Sequence, residues 1–157
     1  MNIKIIKGDL LNSDANIICH QVNCKGIMGS GLAAQIKNKY PEVFEDYKEH
    51  IGKYIYSQEN VGLLGSVNLS SIGPNRYIAN IFGQWDYGRN NKIVYTNYAA
   101  LRRAFEDLKD YAERHNYSIS LPYKIGCGLA NGSWSIVYNL IKKSFGNTNI
   151  KVTIYKL

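Results

Sequence analysis

Cysteine is scarce in this chain, and its apolar runs are short. The three cysteines, Cys19, Cys24 and Cys127, are odd in number and lack paired spacing. That argues against a disulfide framework and a zinc site, and it fits a reducing, cytoplasmic setting. No apolar run reaches the ~18 residues that a membrane helix needs, so no membrane partner is expected. The opening Met1-Asn2-Ile3-Lys4-Ile5-Ile6-Lys7 has no long apolar stretch followed by a small-residue cleavage site. It reads as a first strand and not as a signal peptide. Repeats, linkers and low-complexity tracts are also missing from the 157 residues. One domain over residues 1–157 is therefore expected, as a monomer, with enough chain to bury a core.

Acidic residues are in deficit, and the net charge of +7 favours anionic partners. The cations are spread over predicted helices, as at Lys37, Lys39, Arg102, Arg103, Lys142 and Lys143. They read either as solvated helix faces or as a surface that steers phosphate or nucleic acid. The chain has 13 tyrosines, too many for all of them to sit in the core.

Residues 1–7 alternate and are β-branched, which predicts a strand. Residues 16–22 are apolar enough for a central strand. A helix is expected over 31–40, and Pro41 opens another over 41–50. Residues 66–69 and 76–82 read as a strand pair across the Gly73-Pro74-Asn75 turn. The longest helix is predicted at 96–115, with Tyr98, Leu101, Phe105, Leu108 and Ala112 as its buried stripe. A strand follows at 118–121. Ser133 is positioned to cap a helix over 133–145 with Ile136, Val137, Leu140 and Ile141 inward. A last strand is expected at 151–155, with Val152 and Ile154 on one face. The alternation predicts an α/β fold, a three-layer α/β/α sandwich around a mixed central sheet.

Two glycine-rich segments each follow a predicted strand and lead into a predicted helix. One runs His20-Gln21-Val22-Asn23-Cys24-Lys25-Gly26-Ile27-Met28-Gly29-Ser30-Gly31-Leu32-Ala33; the other runs Pro122-Tyr123-Lys124-Ile125-Gly126-Cys127-Gly128-Leu129-Ala130-Asn131-Gly132-Ser133-Trp134. A strand, a glycine turn and a helix N-terminus bring free N–H groups and a helix dipole to one point, which makes an anion site. Two such turns at the carboxyl edge of one sheet suit a ligand with two phosphates, or a phosphate flanked by sugars.

Together with Lys7-Gly8-Asp9-Leu10 and the terminal Val152-Thr153-Ile154-Tyr155-Lys156-Leu157, these segments resemble the macrodomains, which bind ADP-ribose. The resemblance covers essentially the whole chain. Within the family, Asn23-Cys24-Lys25-Gly26-Ile27-Met28-Gly29-Ser30-Gly31 looks most like the branch of ADP-ribose-1″-phosphate phosphatases and of terminal and DNA ADP-ribose glycohydrolases.

The resemblance implies a role for each site residue, beside a plainer structural one. Asp9 matches an aspartate that accepts from the adenine amino group, a task that suits an acceptor-only carboxylate; otherwise it caps a turn before Leu10, which is also expected at the ligand. Gly26, Met28, Gly29, Ser30, Gly31 and Leu32 would let backbone approach the pyrophosphate and distal ribose, or simply turn into a helix. Pro122, Ile125, Gly126, Cys127, Gly128, Leu129 and Ala130 would wrap the phosphates. Cys127 is not read as a nucleophile, since nothing nearby in sequence lowers its pKa. Asn23 would hold the ribose hydroxyls through an amide that donates and accepts, or support its own loop. His20 is either structural or catalytic. In a catalytic role it acts as general acid on the leaving oxygen or orients water. Tyr155 and Leu157 would line the adenosine pocket, or pack as a final strand.

Two departures bear on activity. Gln84 stands about where glycohydrolase members carry a lysine, and Ala130 stands where terminal glycohydrolases carry an acid. The loss of that pair leaves phosphate-monoester hydrolysis or plain binding, and the branch resemblance with His20 makes metal-free, cofactor-free hydrolysis of ADP-ribose-1″-phosphate the leading expectation. An ADP-ribosyl glycohydrolase acting on ADP-ribosylated nucleic acid or protein, a non-catalytic ADP-ribose reader, and plain nucleic-acid binding are the alternatives.

Overall fold

The computed structural model describes residues 2–55 and 62–157; Met1, expected to begin the first strand, lies outside them. Among the described residues there are six strands: β1 (Ile3–Lys7), β2 (Ile17–Val22), β3 (Val67–Gly73), β4 (Arg76–Phe82), β5 (Ile119–Pro122) and β6 (Val152–Lys156). Four helices alternate with them: α1 (Gly31–Lys39), α2 (Pro41–Ile55), α3 (Tyr98–His115) and α4 (Trp134–Phe145). No helix among the described residues is long and apolar enough to cross a membrane.

The strands form one sheet in the order β1-β6-β5-β2-β4-β3. Every neighbouring pair is parallel except β3 with β4, so the sheet is mixed as expected. Burial on both faces suits the central strands, because Ile17, Ile18, Cys19, Ile78, Ala79 and Ile81 have no exposed surface. One face packs against α3 and α4 through Leu101, Ala104, Phe105, Leu108, Val137, Ile141 and Phe145. The other is covered by α1 and α2, with Ile36 and Val43 on Ile18 and Ile78, and Tyr47 and Ile51 near Val22 and Phe82. The result is a three-layer α/β/α sandwich.

Several boundaries differ from the pattern reading. Helix α3 starts at Tyr98 because Asn97 is its N-cap, its Oδ1 accepting from the Ala100 amide at 2.9 Å. Helix α2 runs on past residue 50 to Ile55, since Ile51 is drawn into the core. Ser133 is the N-cap position of α4 but makes no side-chain cap bond; its hydroxyl lies 3.1 Å from that of Ser135. Ile136 points outward at 44% exposure, because the inner face of α4 is Val137, Ile141, Ser144 and Phe145.

The β2–β5 ladder positions the site. It holds only at Ile17–Ile119 and Ile18–Ser120, whereas β2 pairs with β4 along its full length. After β2 the chain moves toward β4 and β3, and after β5 toward β6. That reversal marks the crevice where open α/β sheets take their ligands.

The Phe105 ring lies 5.9 Å from that of Phe145 and is fully buried between sheet and helices. Phe105→Ala is expected to cost about 3–5 kcal/mol, measured as a lower denaturant midpoint at unchanged slope.

Candidate functional site

A cleft of about 790 Å³ opens above the carboxyl ends of β2 and β5. Three segments wall it: the first glycine loop, the second glycine loop, and residues 84–89 after β4. Of the residues singled out in sequence, His20, Asn23, Gly29, Ser30, Gly31 and Leu32 line it on one side. Pro122, Ile125, Gly126, Gly128, Leu129 and Ala130 line it on the other, and Gln84 stands between. Among the described residues, the amides of Gly29, Ser30, Gly31, Gly128, Leu129 and Ala130 have no hydrogen-bond acceptor. Two sets of free N–H donors, one at the N-terminus of α1, thus border the same cavity.

The first loop is held from beneath. The Tyr47 hydroxyl, fully buried on α2, donates toward the Asn23 carbonyl at 2.6 Å and lies 2.9 Å from Asn23 Oδ1. It also accepts from the Gly26 amide at 3.1 Å. Burial pushes the Tyr47 phenol above its ordinary value, so it stays a neutral donor. Asn23, 8% exposed, donates from Nδ2 to the Ile27 carbonyl at 2.9 Å and accepts the Lys25 amide on Oδ1 at 3.0 Å. Its amide supports its own loop while it also lines the cleft.

One side chain ties the three walls together. Gln21 Nε2 donates to Gln84 Oε1 at 2.8 Å and to Thr96 Oγ1 at 3.0 Å. Thr96 Oγ1 in turn donates to the Gly126 carbonyl at 2.6 Å. Gln84 donates onward to the Asp86 carbonyl at 2.8 Å. Gly126 holds φ +74°, and a Cβ there would stand 2.8 Å from Gln21 Oε1. Only glycine both adopts that backbone and leaves room for the glutamine.

His20 sits at the cleft floor with 1% exposure and its Nε2 2.5 Å from Asn80 Oδ1. Burial holds its pKa down at about 4, so the ring is neutral at physiological pH and has no imidazolium proton to give. Of the two catalytic options expected for His20, orienting water is the one this geometry accommodates.

Seven expected site residues lie outside the cleft lining. Asp9 is exposed and caps the short turn Leu10–Asn12, accepting the Leu11 amide on Oδ1 at 3.0 Å. Leu10 is buried in the cluster against which Tyr155 packs. Met28 is buried near Tyr47, and Gly26 holds φ +82° at the turn above it. Cys127 packs against the core with its thiol donating to the Ile125 carbonyl at 3.3 Å. Burial raises its pKa, which disfavours a nucleophilic thiolate. Leu157 is 90% exposed. Gln21, Arg89, Tyr123 and Lys124, which carry no ligand role in the sequence reading, also line the cleft, as does Tyr87 from the segment after β4. A polar amide inside the apolar strand Ile17–Val22 was the available signal for Gln21. Tyr47 carried none, because its partner lies 24 residues away.

A family model described as Macro domain matches residues 19–141. An ADP-ribose 1″-phosphate phosphatase of Meyerozyma guilliermondii is 28% identical over 165 residues, covering 90% of this chain and 93% of that protein. A DNA ADP-ribosyl glycohydrolase of Mycobacterium tuberculosis is 25% identical over 138 residues, 88% of this chain; the chain spans only 37% of that relative's length. A solved structure from Bacteroides thetaiotaomicron, of a protein of unknown function, superposes with a TM-score of 0.85 at 30% identity over 99% of this chain and 98% of that one.

Two predictions come from this geometry. Tyr47→Phe is expected to cost about 1–3 kcal/mol and to speed hydrogen exchange at the Lys25 and Gly26 amides. The second concerns pH. His20 and His50 are both held at about 4 by burial, whereas an unfolded histidine titrates near 6.5. The unfolded chain therefore binds more protons between those values, and stability falls as pH drops from about 6.5 to 4. For His20 the loss is roughly 3 kcal/mol, with a smaller share from half-buried His50. Urea unfolding at a series of pH values reads it directly; a flat profile over that window would mean that neither ring is held neutral.

Proposed function

The chain belongs to the macrodomain family, and from that premise we propose that its cleft binds ADP-ribose and that it hydrolyses ADP-ribose-1″-phosphate to ADP-ribose and phosphate. The observation that carries this reading is the pair of free N–H sets facing one cavity. One set suits the pyrophosphate and the other the terminal phosphate, and neither needs a charged side chain to hold an anion. The name of the Meyerozyma guilliermondii relative, which this chain matches over 90% of its own length and 93% of that protein's, supports the same chemistry.

In this mechanism water attacks phosphorus, the bond from phosphorus to the C1″ oxygen breaks, and ADP-ribose leaves with that oxygen, which takes up the proton that the attacking water gives up. The preorganised amides stabilise charge as it builds on the phosphoryl oxygens. Gln84 is neutral and already engaged with Gln21 and Asp86, and Ala130 is 7% exposed with no ionisable group. Neither position offers the acid and base that opening the ribose ring would use.

A second reading, removal of ADP-ribose from a nucleic acid, is favoured by a charge asymmetry. From Arg114 to Leu157 the chain carries Lys124, Lys142, Lys143, Lys151 and Lys156 besides Arg114, with no Asp or Glu. This stretch supplies nearly all of the net charge of +7. Of these, Lys124 lies in the second glycine loop and Lys156 at the end of β6, whereas Arg114, Lys142 and Lys143 stand in the last turns of α3 and α4 and Lys151 just before β6. Lys124 and Lys156 lie over the Tyr123 ring at 5.8 and 4.7 Å, and Lys142 lies over Tyr138 at 4.7 Å. Tyr123, Trp134 and Tyr138 form a contiguous ring row with centroid spacings of 5.0 and 5.3 Å. Aromatics interleaved with cations next to a cleft suit a strand of phosphates and bases.

The purified protein is expected to release phosphate from ADP-ribose-1″-phosphate with or without chelator. At Gly128 an added Cβ meets nothing within 4 Å, so Gly128→Val places bulk in the cleft without straining the fold. It should cut release by roughly 100-fold or more, about 2.7 kcal/mol, at unchanged melting temperature. Release of ADP-ribose from ADP-ribosylated single-stranded DNA, with no phosphatase activity, would replace the first reading with the second.

A further inference from the structure

A row of three hydrogen-bonding side chains crosses the sheet face beneath α1 and α2. Registers in the sheet place His20 beside Asn80 and Asn80 beside Asn68, in one line across β2, β4 and β3. On β2 and β4 the rows on either side are apolar, Ile18 with Ile78 and Val22 with Phe82; the first of them ends in the buried hydroxyls of Ser120 on β5 and Ser70 on β3. Asn80 has no exposed surface. Its Nδ2 donates to Asn68 Oδ1 at 3.0 Å, which turns its Oδ1 toward His20 Nε2.

This row has a chemical consequence. A carbonyl oxygen can only accept, so the proton of the neutral imidazole must sit on Nε2. Nδ1 is then bare, and among the described residues it is buried with no hydrogen-bond partner. An unmatched buried acceptor is costly and uncommon in folded proteins. With Nε2 engaged by Asn80, Nδ1 is the one polar atom the ring can offer at the cleft floor, where His20 lies. A charged carboxylate in place of Asn80 would favour a doubly protonated ring and turn Nδ1 into a donor; the amide leaves it an acceptor.

We propose that Asn80 is a positioning residue that fixes the Nε2–H tautomer of His20, making Nδ1 a dedicated acceptor for an O–H group of the bound substrate or of the attacking water. The ligand half of this proposal rests on the reading of the cleft as an ADP-ribose site. Asn68 completes the device by orienting the Asn80 amide from the edge strand. His20 therefore serves the site by accepting a hydrogen bond.

The chain holds three histidines, so a sample labelled with ¹⁵N only at histidine gives a spectrum in which His20→Ala identifies the His20 ring. The expected result is the Nε2–H tautomer in the free protein, and a shift of the Nδ1 resonance when ADP-ribose is added. A ring protonated on Nδ1, singly or doubly, overturns the proposal. So does an Nδ1 resonance that stays fixed at saturating ADP-ribose while the Gly128 amide, followed in a second, uniformly ¹⁵N-labelled sample, moves. If ring and loop amides are both unmoved, the ADP-ribose reading fails and takes the ligand half of the proposal with it; the tautomer of the free protein still decides the role of Asn80.

Turnover gives a second readout. Asn80→Ala is expected to lower kcat for phosphate release roughly 10- to 100-fold with little change in KM, and to add no further loss in a His20→Ala background. An equal loss in both backgrounds would make Asn80 merely structural. Should Asn80→Ala fail to fold, the spectrum of the unaltered protein still decides the matter.

Discussion

The early parting of β2 and β5 is the constraint on which the site depends. Two rungs of ladder, Ile17–Ile119 and Ile18–Ser120, hold these strands together before they separate. A third rung would leave less room for the loops that follow. Because the strands part there, the first glycine loop and the second leave the sheet on opposite sides of a gap. Their free amides then border one cavity instead of two separate patches. The buried apolar strands beneath give this gap a rigid floor, and the helices on both faces keep it from closing.

Holding the walls of such a gap is a problem of hydrogen bonds more than of apolar contact. Gln21 spans the gap with one amide nitrogen, reaching Gln84 and Thr96 at once, and Thr96 passes the connection on to Gly126. Tyr47 does the corresponding work beneath the first loop. Ion pairs have little part in this. The described ones, Lys48–Glu45, Lys109–Glu106 and Lys109–Asp110, all lie on α2 and α3, where exposure keeps their contribution small. The walls are therefore tied together by neutral groups, which leaves the field of the cleft to the backbone amides and to Arg89 and Lys124 in its lining.

Local patterns made much of this legible in the sequence. The β-branched runs marked strands β1, β2, β4 and β6, and the two glycine segments located both loops, because turn chemistry is written in adjacent residues. Legibility ended where a residue's partner is distant in sequence. Gln21 and Tyr47 are fixed by contacts 63 and 24 residues away, and no local rule reports them. Asp9 shows the local case: one of its carboxylate oxygens accepts the Leu11 amide two residues on, the turn-capping role that adjacent residues report. The apolar cluster of α4 shows how a small error in phase matters. Moving the buried stripe by one position, about 100° around the axis, carries Ile136 from the core to solvent.

The segment between β4 and α3 combines a fixed stem with a free tip. Its stem is closed by the Gln84–Thr96 bridge and by the Asn97 amide on the Gly83 carbonyl, and Asn131 fastens it from the side through the Asn90 and Ile93 carbonyls. Its tip presents Trp85 and Tyr87 to solvent, at 45% and 49% exposure, with Arg89 lining the cavity. Residues at the tip can therefore be exchanged without disturbing the stem or the sheet. In evolutionary terms this separates the inheritance of the scaffold from the choice of what is brought to it. Descendants of one such chain could diverge in the group they accept beyond the cleft while keeping the same cradle of amides.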